Sequence, residues 1–246
     1  MTTSLKAAER EARINLACAY RLFWILGWHE LIYNHISIRI PGREGAFLIN
    51  PFGLRYDEVT ASNLVMIDIE GRKLQPSEHE VNPAGFVVHA AVHRSRADAS
   101  CVMHTHTTAG MAVACQRSGL LPLSFPAGFF TDRISYHALE GITIDEDECE
   151  RIAASLGDNS VMILRNHGLL ACGPTIADAF ADLYHLQRAC EVQIAAQAGG
   201  PLNMPEPGVM QHMSQQYART SRGGQNTLLW AAMRRWVDDL APGYDA

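Results

Sequence analysis

The chain has 246 residues, enough to bury one large core. Its formal net charge of −6 leaves no basic excess to neutralise nucleic-acid phosphates, so no nucleic-acid partner is expected. The most apolar stretches, such as 159–172, are too short to span a bilayer and are interrupted by Asn166, His167 and Gly168, so no membrane partner is expected either. The first residues, MTTSLKAAEREAR, are charged and lack the apolar run of a signal peptide. None of the six cysteines forms a CxxC pair, which points to reduced thiols and a cytoplasmic location.

In chain order, Leu5, Ala8, Ala12, Leu16, Ala19 and Phe23 recur at helical spacing and predict a helix over 4–26 that Gly27 stops. Ile36, Ile38 and Ile40 alternate with Ser37 and Arg39 as a half-buried strand. Pro41–Gly42 turns the chain into a return strand at Ala46–Ile49. A third strand is expected at Leu64–Ile69, and a short one near Lys73–Gln75. Asn82 before Pro83 opens a helix to Arg94. A buried strand at Ser100–Met103 leads into HTHTTAG, where Thr107 or Thr108 caps a helix running to about Gln116. The segment 119–128, rich in glycine and proline, reads as a turn-rich stretch. A strand follows at Arg133–Tyr136, then a helix over Asp145–Ala154 with an acidic first turn. Strands at Ser160–Leu164 and Leu169–Cys172 flank the tight turn RNHG. A long helix occupies Thr175–Ala198, and helices over 207–219 and 224–240 complete the chain. No linker marks a boundary. The chain reads as one α/β domain over 1–200, with 201–246 as a helical C-terminal extension of it.

His104 and His106 lie where a strand becomes a helix. Alternate residues of a strand share a face, so the two imidazoles can converge on one point, half of a tetrahedral metal site. Ordinary polar residues at a strand end would look the same. His167 sits in the turn between two apolar strands, with Gly168 permitting close backbone approach. A hydrogen-bonded core histidine remains the alternative there.

The segments VNPAGFVVHAAVHRSRADASCVMHTHTTAG and MILRNHGLLACGPTIADAFADLYHLQRACEVQIAA resemble the class II aldolase/adducin family, in its adducin-type branch. The likeness runs from about Ala12 to Gly200 and includes the NHIS and NPFG loops. It implies a three-layer αβα sandwich with a mostly antiparallel central sheet and a homotetramer with the site at a subunit interface. It also implies a divalent metal on His104, His106 and His167. Zinc is the first choice, with iron, manganese or cobalt as alternatives.

The family pattern is broken in two places. The acidic residue of the sugar-phosphate aldolases should fall about nineteen positions before His104, at Gly85, and no carboxylate occurs from Val81 to Arg94. Glu78 and Glu80 on the preceding loop are the nearest substitutes, and the general acid/base is left unassigned. Of the phosphate-binding pattern, Asn34 and Gly53 match as substrate-binding residues. Phe52 stands at a threonine position and Pro83–Ala84 replace serines, which removes hydroxyl donors that a phosphate would use. Weaker candidates are His35, the pair His89 and His93, Tyr136 with His137, and the tail tyrosines Tyr217 and Tyr244. Trp230 and Trp236 are read as anchors of the last helix.

Three functions remain open on these residues. The first is a metal-dependent, aldolase-like lyase on a small, unphosphorylated hydroxy-carbonyl or hydroxy-acid, the ion stabilising the enediolate left by carbon–carbon cleavage. The second is an iron-dependent oxidative decarboxylase of hydroxyaryl acids, for which Phe52 and the aromatic FPAGFF stretch would suit the substrate. The third is a non-catalytic, adducin-like assembly module.

Overall fold

The computed structural model describes residues 3–143, 145, 147–220 and 224–246. Helix α1 (Thr3–Leu26) ends at Gly27, whose φ of +69° favours glycine. Strands β1 (His35–Arg39) and β2 (Ala46–Ile49) form the expected hairpin, and β3 (Val65–Asp68) adds to its outer edge. Helix α2 (Pro83–Ser95), β4 (Cys101–Thr105) and α3 (Thr108–Ala114) follow. Then come α4 (Phe125–Gly128), β5 (Ile134–His137), α5 (Glu148–Leu156), β6 (Val161–Leu164) and β7 (Gly168–Gly173). Helices α6 (Ile176–Ala198), α7 (Pro207–Thr220) and α8 (Gln225–Leu240) close the chain.

The seven strands form one sheet in the order β3-β2-β1-β4-β7-β6-β5, antiparallel throughout except for the parallel pair β5–β6. Both faces are covered, because successive residues point to opposite faces and both sets are apolar. Ile36, Ile38, Met103, Ile163, Leu169 and Ala171 point into a large core with residues of α1, α6 and α8. Val102, Met162, Leu164, Leu170 and Cys172 point the other way, into a second core under α2 and α5. The expected three-layer sandwich with a mostly antiparallel sheet is therefore the observed architecture. Among the described residues, no helix is long and apolar enough to cross a membrane.

Two expectations are corrected and a third is extended. Residues 73–75 form no strand: they make one bridge, Lys73 to Ile67, and Leu74 N–H donates to Met66 O, closing a turn. The turn-rich segment 119–128 also holds a helical turn, with Pro126 in its first positions and Phe130 buried beyond it. The helix expected from Asp145 begins at Glu148. Asp147 makes no side-chain cap, and the buried Glu148 carboxylate accepts from the Thr143 hydroxyl. Residue 146 of that expected helix lies outside the described residues.

Candidate metal centre

Two turns deliver the three histidines. His104 is the fourth residue of β4, on the face that carries Val102, while Thr105 faces the opposite way. The strand ends at once, because the Thr107 side chain accepts from Gly110 N–H and starts α3, and His106 is left beside His104. Across the sheet, Asn166 adopts φ +58° in the β6–β7 turn, and its N–H is held by Ala114 O. His167 N–H donates to Leu164 O at 3.0 Å. A Cβ on Gly168 would run into the Thr105 carbonyl and come within 3.1 Å of the His106 ring, so glycine is what lets this turn reach the pair.

His104 Nε2 lies 2.7 Å from His106 Nε2, which lies 3.0 Å from His167 Nε2. His104 Nδ1 faces Leu169 O at 2.9 Å, so that nitrogen carries the hydrogen and Nε2 presents a lone pair. Burial lowers the proton affinity of all three rings. Adjacent imidazoles add to the effect at His104 and at His167, whose pKa falls to about 4. With the rings neutral and His104 Nε2 bare, no arrangement of hydrogens gives each short contact its own N–H. A cation satisfies all three lone pairs together. Three imidazoles around a tetrahedral ion stand about 3.3 Å apart, from bonds of about 2.0–2.1 Å, so small ring rotations suffice. The donor set fits a divalent metal, and its ligand atoms all lie within 4.8 Å of one another.

The cluster opens into a cavity of about 580 Å³ whose wall also includes His35, Phe52, Val88, Leu139 and Ile142. Neither Asn34 nor Gly53 lines it. Asn34 is buried, with Nδ2 3.4 Å from His104 O, so it braces the strand that carries the ligand pair. Gly53 has φ +99° and follows Phe52, which does line the cavity. Glu80 forms an ion pair with Lys73, and neither it nor Glu78 reaches the cavity wall. Glu30, which sequence reasoning passed over, is the one carboxylate among the described cavity residues. It lies in the loop after α1, where no periodic pattern singles it out.

Other candidates lie elsewhere. Tyr136 packs under the Arg165 guanidinium, and its hydroxyl accepts from Leu120 N–H. His137 faces Ser155 and Glu148. Tyr217 stacks on Phe129 and donates to Asp182, so the FPAGFF stretch packs against α6 and α7 and contributes nothing to the cavity. Tyr244 donates to Asp238. Trp230 is buried and donates to Asn15, as an anchor should, whereas Trp236 is 37% exposed.

Gly85 explains its own lack of a side chain. A Cβ there would lie 2.7 Å from His35 Cγ and closer still to Cδ2 and Nε2. His35 pairs with His104 across β1 and β4, and the two rings stack with centroids 5.4 Å apart. Behind it, His89 and His93, four apart on α2, turn inward to Ser37 on β1. Burial holds the pKa of His35, His89 and His93 below the usual histidine range, that of His93 at about 3. His-x-Ser on a strand and His-x3-His on a helix were the signals for this contact. Neither says which faces meet.

The family model described as Class II Aldolase and Adducin N-terminal domain matches residues 14–194. A Pseudomonas aeruginosa protein provisionally named as an aldolase class 2 protein is 48% identical, over 98% of this chain and 94% of its own length. Alpha-adducin of Rattus norvegicus is 44% identical over 80% of this chain, a span that is 27% of that longer protein. Among solved structures, an aldolase II superfamily protein from Pseudomonas syringae superposes with a TM-score of 0.93 at 44% identity, covering 97% of this chain and 96% of its own. L-fuculose 1-phosphate aldolase from Glaciozyma antarctica does so at 0.84 and 25%, covering 99% and 96%. The chain belongs to the class II aldolase and adducin family.

Proposed function

For this member of the family, we propose a metal-dependent lyase that breaks a carbon–carbon bond, aldolase fashion, in a small unphosphorylated hydroxy-carbonyl or hydroxy-acid. The observation that carries this reading is the convergence of the His104, His106 and His167 Nε2 atoms on one open cavity. A divalent ion held there, zinc by preference, would supply a Lewis acid to adjacent substrate oxygens. The Leu169 carbonyl keeps the His104 lone pair aimed at it. Phe52 and Val88 would shield the carbon skeleton from water, with Leu139 and Ile142 exposed at the rim. No lysine or arginine occurs among the described cavity residues, which argues against a phosphate dianion. Glu30 stands exposed at the cavity rim. Exposed Tyr33, Leu139 and Ile142 around the same cavity suit coverage by a neighbouring subunit in a cytoplasmic homotetramer.

The test is metal analysis of the purified chain after zinc reconstitution, with cleavage assays on matched phosphorylated and unphosphorylated substrates. About one ion per chain, lost in His104→Ala and His167→Ala, with cleavage of unphosphorylated substrates only, is the expected result. Far less than one ion per chain after reconstitution would sink the proposal.

The apolar wall at Phe52, Leu139 and Ile142 favours one second reading, iron-dependent oxidative decarboxylation of a hydroxyaryl acid. Oxygen uptake by anaerobically iron-loaded protein with aryl hydroxyacids tests it, and no uptake with any of them removes it.

A further inference from the structure

A row of buried polar groups backs the cavity wall. His93 Nδ1 lies 3.1 Å from Ala99 O, and its Nε2 lies 2.8 Å from Ser37 Oγ. Ser37 Oγ lies 2.6 Å from His89 Nδ1, and His89 Nε2 lies 3.0 Å from His35 Nδ1. All four side chains are at most 5% exposed, and their hydrogen bonds among the described residues involve no carboxylate.

These contacts have a direction. A carbonyl can only accept, so His93 Nδ1 carries the hydrogen and His93 Nε2 is a lone pair. The single Ser37 hydroxyl hydrogen must then point at His93, which leaves Ser37 Oγ to accept from His89 Nδ1–H. His89 Nε2 is in turn a lone pair and accepts from His35 Nδ1–H. Each neutral imidazole has one N–H, so the sequence ends with His35 Nε2 bare. That atom has no hydrogen-bond partner among the described residues, and its ring lines the cavity beside His104. Gly85 makes room for it, since any side chain there would overlap the ring.

We propose that His35 determines specificity in this cavity: its Nε2 accepts a hydrogen bond from a substrate hydroxyl, and the Ala99–His93–Ser37–His89 relay locks it in that acceptor form. The relay is a property of the protein alone, whereas the hydroxyl-bearing substrate rests on the metal-dependent reading above. Direction gives the relay its selectivity. A substrate carbonyl or carboxylate oxygen placed here meets another lone pair and is disfavoured, whereas a hydroxyl both donates to His35 and leaves its oxygen free for the ion. The favoured substrate therefore carries a hydroxyl beside the oxygen that chelates.

Two measurements test this. In histidine-15N-labelled, zinc-reconstituted protein, His35 is expected as the neutral tautomer with Nδ1–H and bare Nε2, assigned by its loss in His35→Phe. Ser37→Ala, which breaks the relay with a smaller change, is expected to move the His35 signals toward an average of the two tautomers. A wild-type His35 bearing Nε2–H, or one unmoved by Ser37→Ala, overturns the relay. The second measurement is calorimetric binding of glycolate and of acetate, which lacks the hydroxyl. Chelation adds to the glycolate preference in every variant, so the change between variants isolates His35. His35→Phe and Ser37→Ala are each expected to reduce the wild-type preference by roughly tenfold and threefold respectively, with zinc still at about one per chain. An unchanged preference in zinc-loaded variants overturns the role of His35 and leaves the metal reading standing. Wild type without zinc overturns the metal reading, and the tautomer signals then decide the relay by themselves.

Discussion

Replacing Gly85 by alanine tests the closest packing in the site. The new Cβ would lie 2.7 Å from His35 Cγ and nearer still to two other ring atoms. The ring has little room to yield, since it stacks on His104 and is tied to His89 at 3.0 Å. Overpacking of a well-filled interior costs about 1–3 kcal/mol. Loss of the His35–His89 bond adds about 1 kcal/mol. Against this, alanine gains roughly 0.5–1 kcal/mol over glycine in a helix, and residue 85 lies within α2. The net expectation is destabilisation by about 1–3 kcal/mol, or a fall in Tm of about 2–12 °C for a chain of this size. Urea and thermal unfolding measure it, and the diagnostic comparison is the double variant. Once His35→Ala has removed the ring, Gly85→Ala should be neutral or stabilising by roughly 0.5–1 kcal/mol, so the two substitutions couple strongly. A Gly85→Ala single variant as stable as the parent, or the same cost in both backgrounds, would refute the packing argument and the explanation of the missing carboxylate with it.

Gly168→Ala should push the Thr105 backbone and the His106 ring apart. We expect loss of about 1–3 kcal/mol of stability and at least tenfold weaker zinc binding in a competition titration; unchanged zinc affinity would count against the turn's role. Thr107→Val removes the cap on α3 and the partner of Gln187, and should cost about 1 kcal/mol by urea unfolding. The buried His93 gives a pH dependence of definite sign. Its folded pKa is held at about 3, by burial first and by the Arg39 charge second, while the unfolded chain takes up a proton near 6.5. The unfolded state therefore binds more protons over that window, and stability falls as pH drops from about 6.5 toward 3. Between pH 5.5 and 4.5 the parent should lose about 1.4 kcal/mol more than a His93→Gln variant; equal slopes would show that His93 is free to protonate.

The strands and long helices were legible because their apolar residues repeat at period 2 or 3.6 over enough turns to leave one reading. Ile36, Ile38 and Ile40 fix which face of β1 is buried under α1, and by exclusion put His35 and Ser37 on the other. The histidine cluster was legible because its members are tied locally, His104 and His106 by strand alternation and His167 by the turn beside Gly168. The His35 contact with Gly85 was not legible. It depends on β1 pairing with β4 in one register, His35 opposite His104, and on α2 crossing that pair with Gly85, His89 and His93 inward. Those are three long-range choices, and no local propensity encodes any of them. The absent carboxylate at 85 therefore read as a simple loss. In the structure an imidazole occupies its place.

That exchange alters the electrostatics of the proposed reaction. Three neutral imidazoles and a neutral His35 leave the charge of a divalent ion uncompensated, because no described carboxylate lies against the cluster and Glu30 is exposed. In a half-enclosed cavity walled by Phe52 and Val88 that charge is screened less than in water. On the proposed reading, a negatively charged substrate supplies compensation that this chain's described cavity residues do not. Of the two substrate classes proposed, a hydroxy-acid brings a carboxylate and a neutral hydroxy-carbonyl does not. The same hydroxyl that His35 would select sits next to that carboxylate in a 2-hydroxy acid, so relay and charge favour one chemical class.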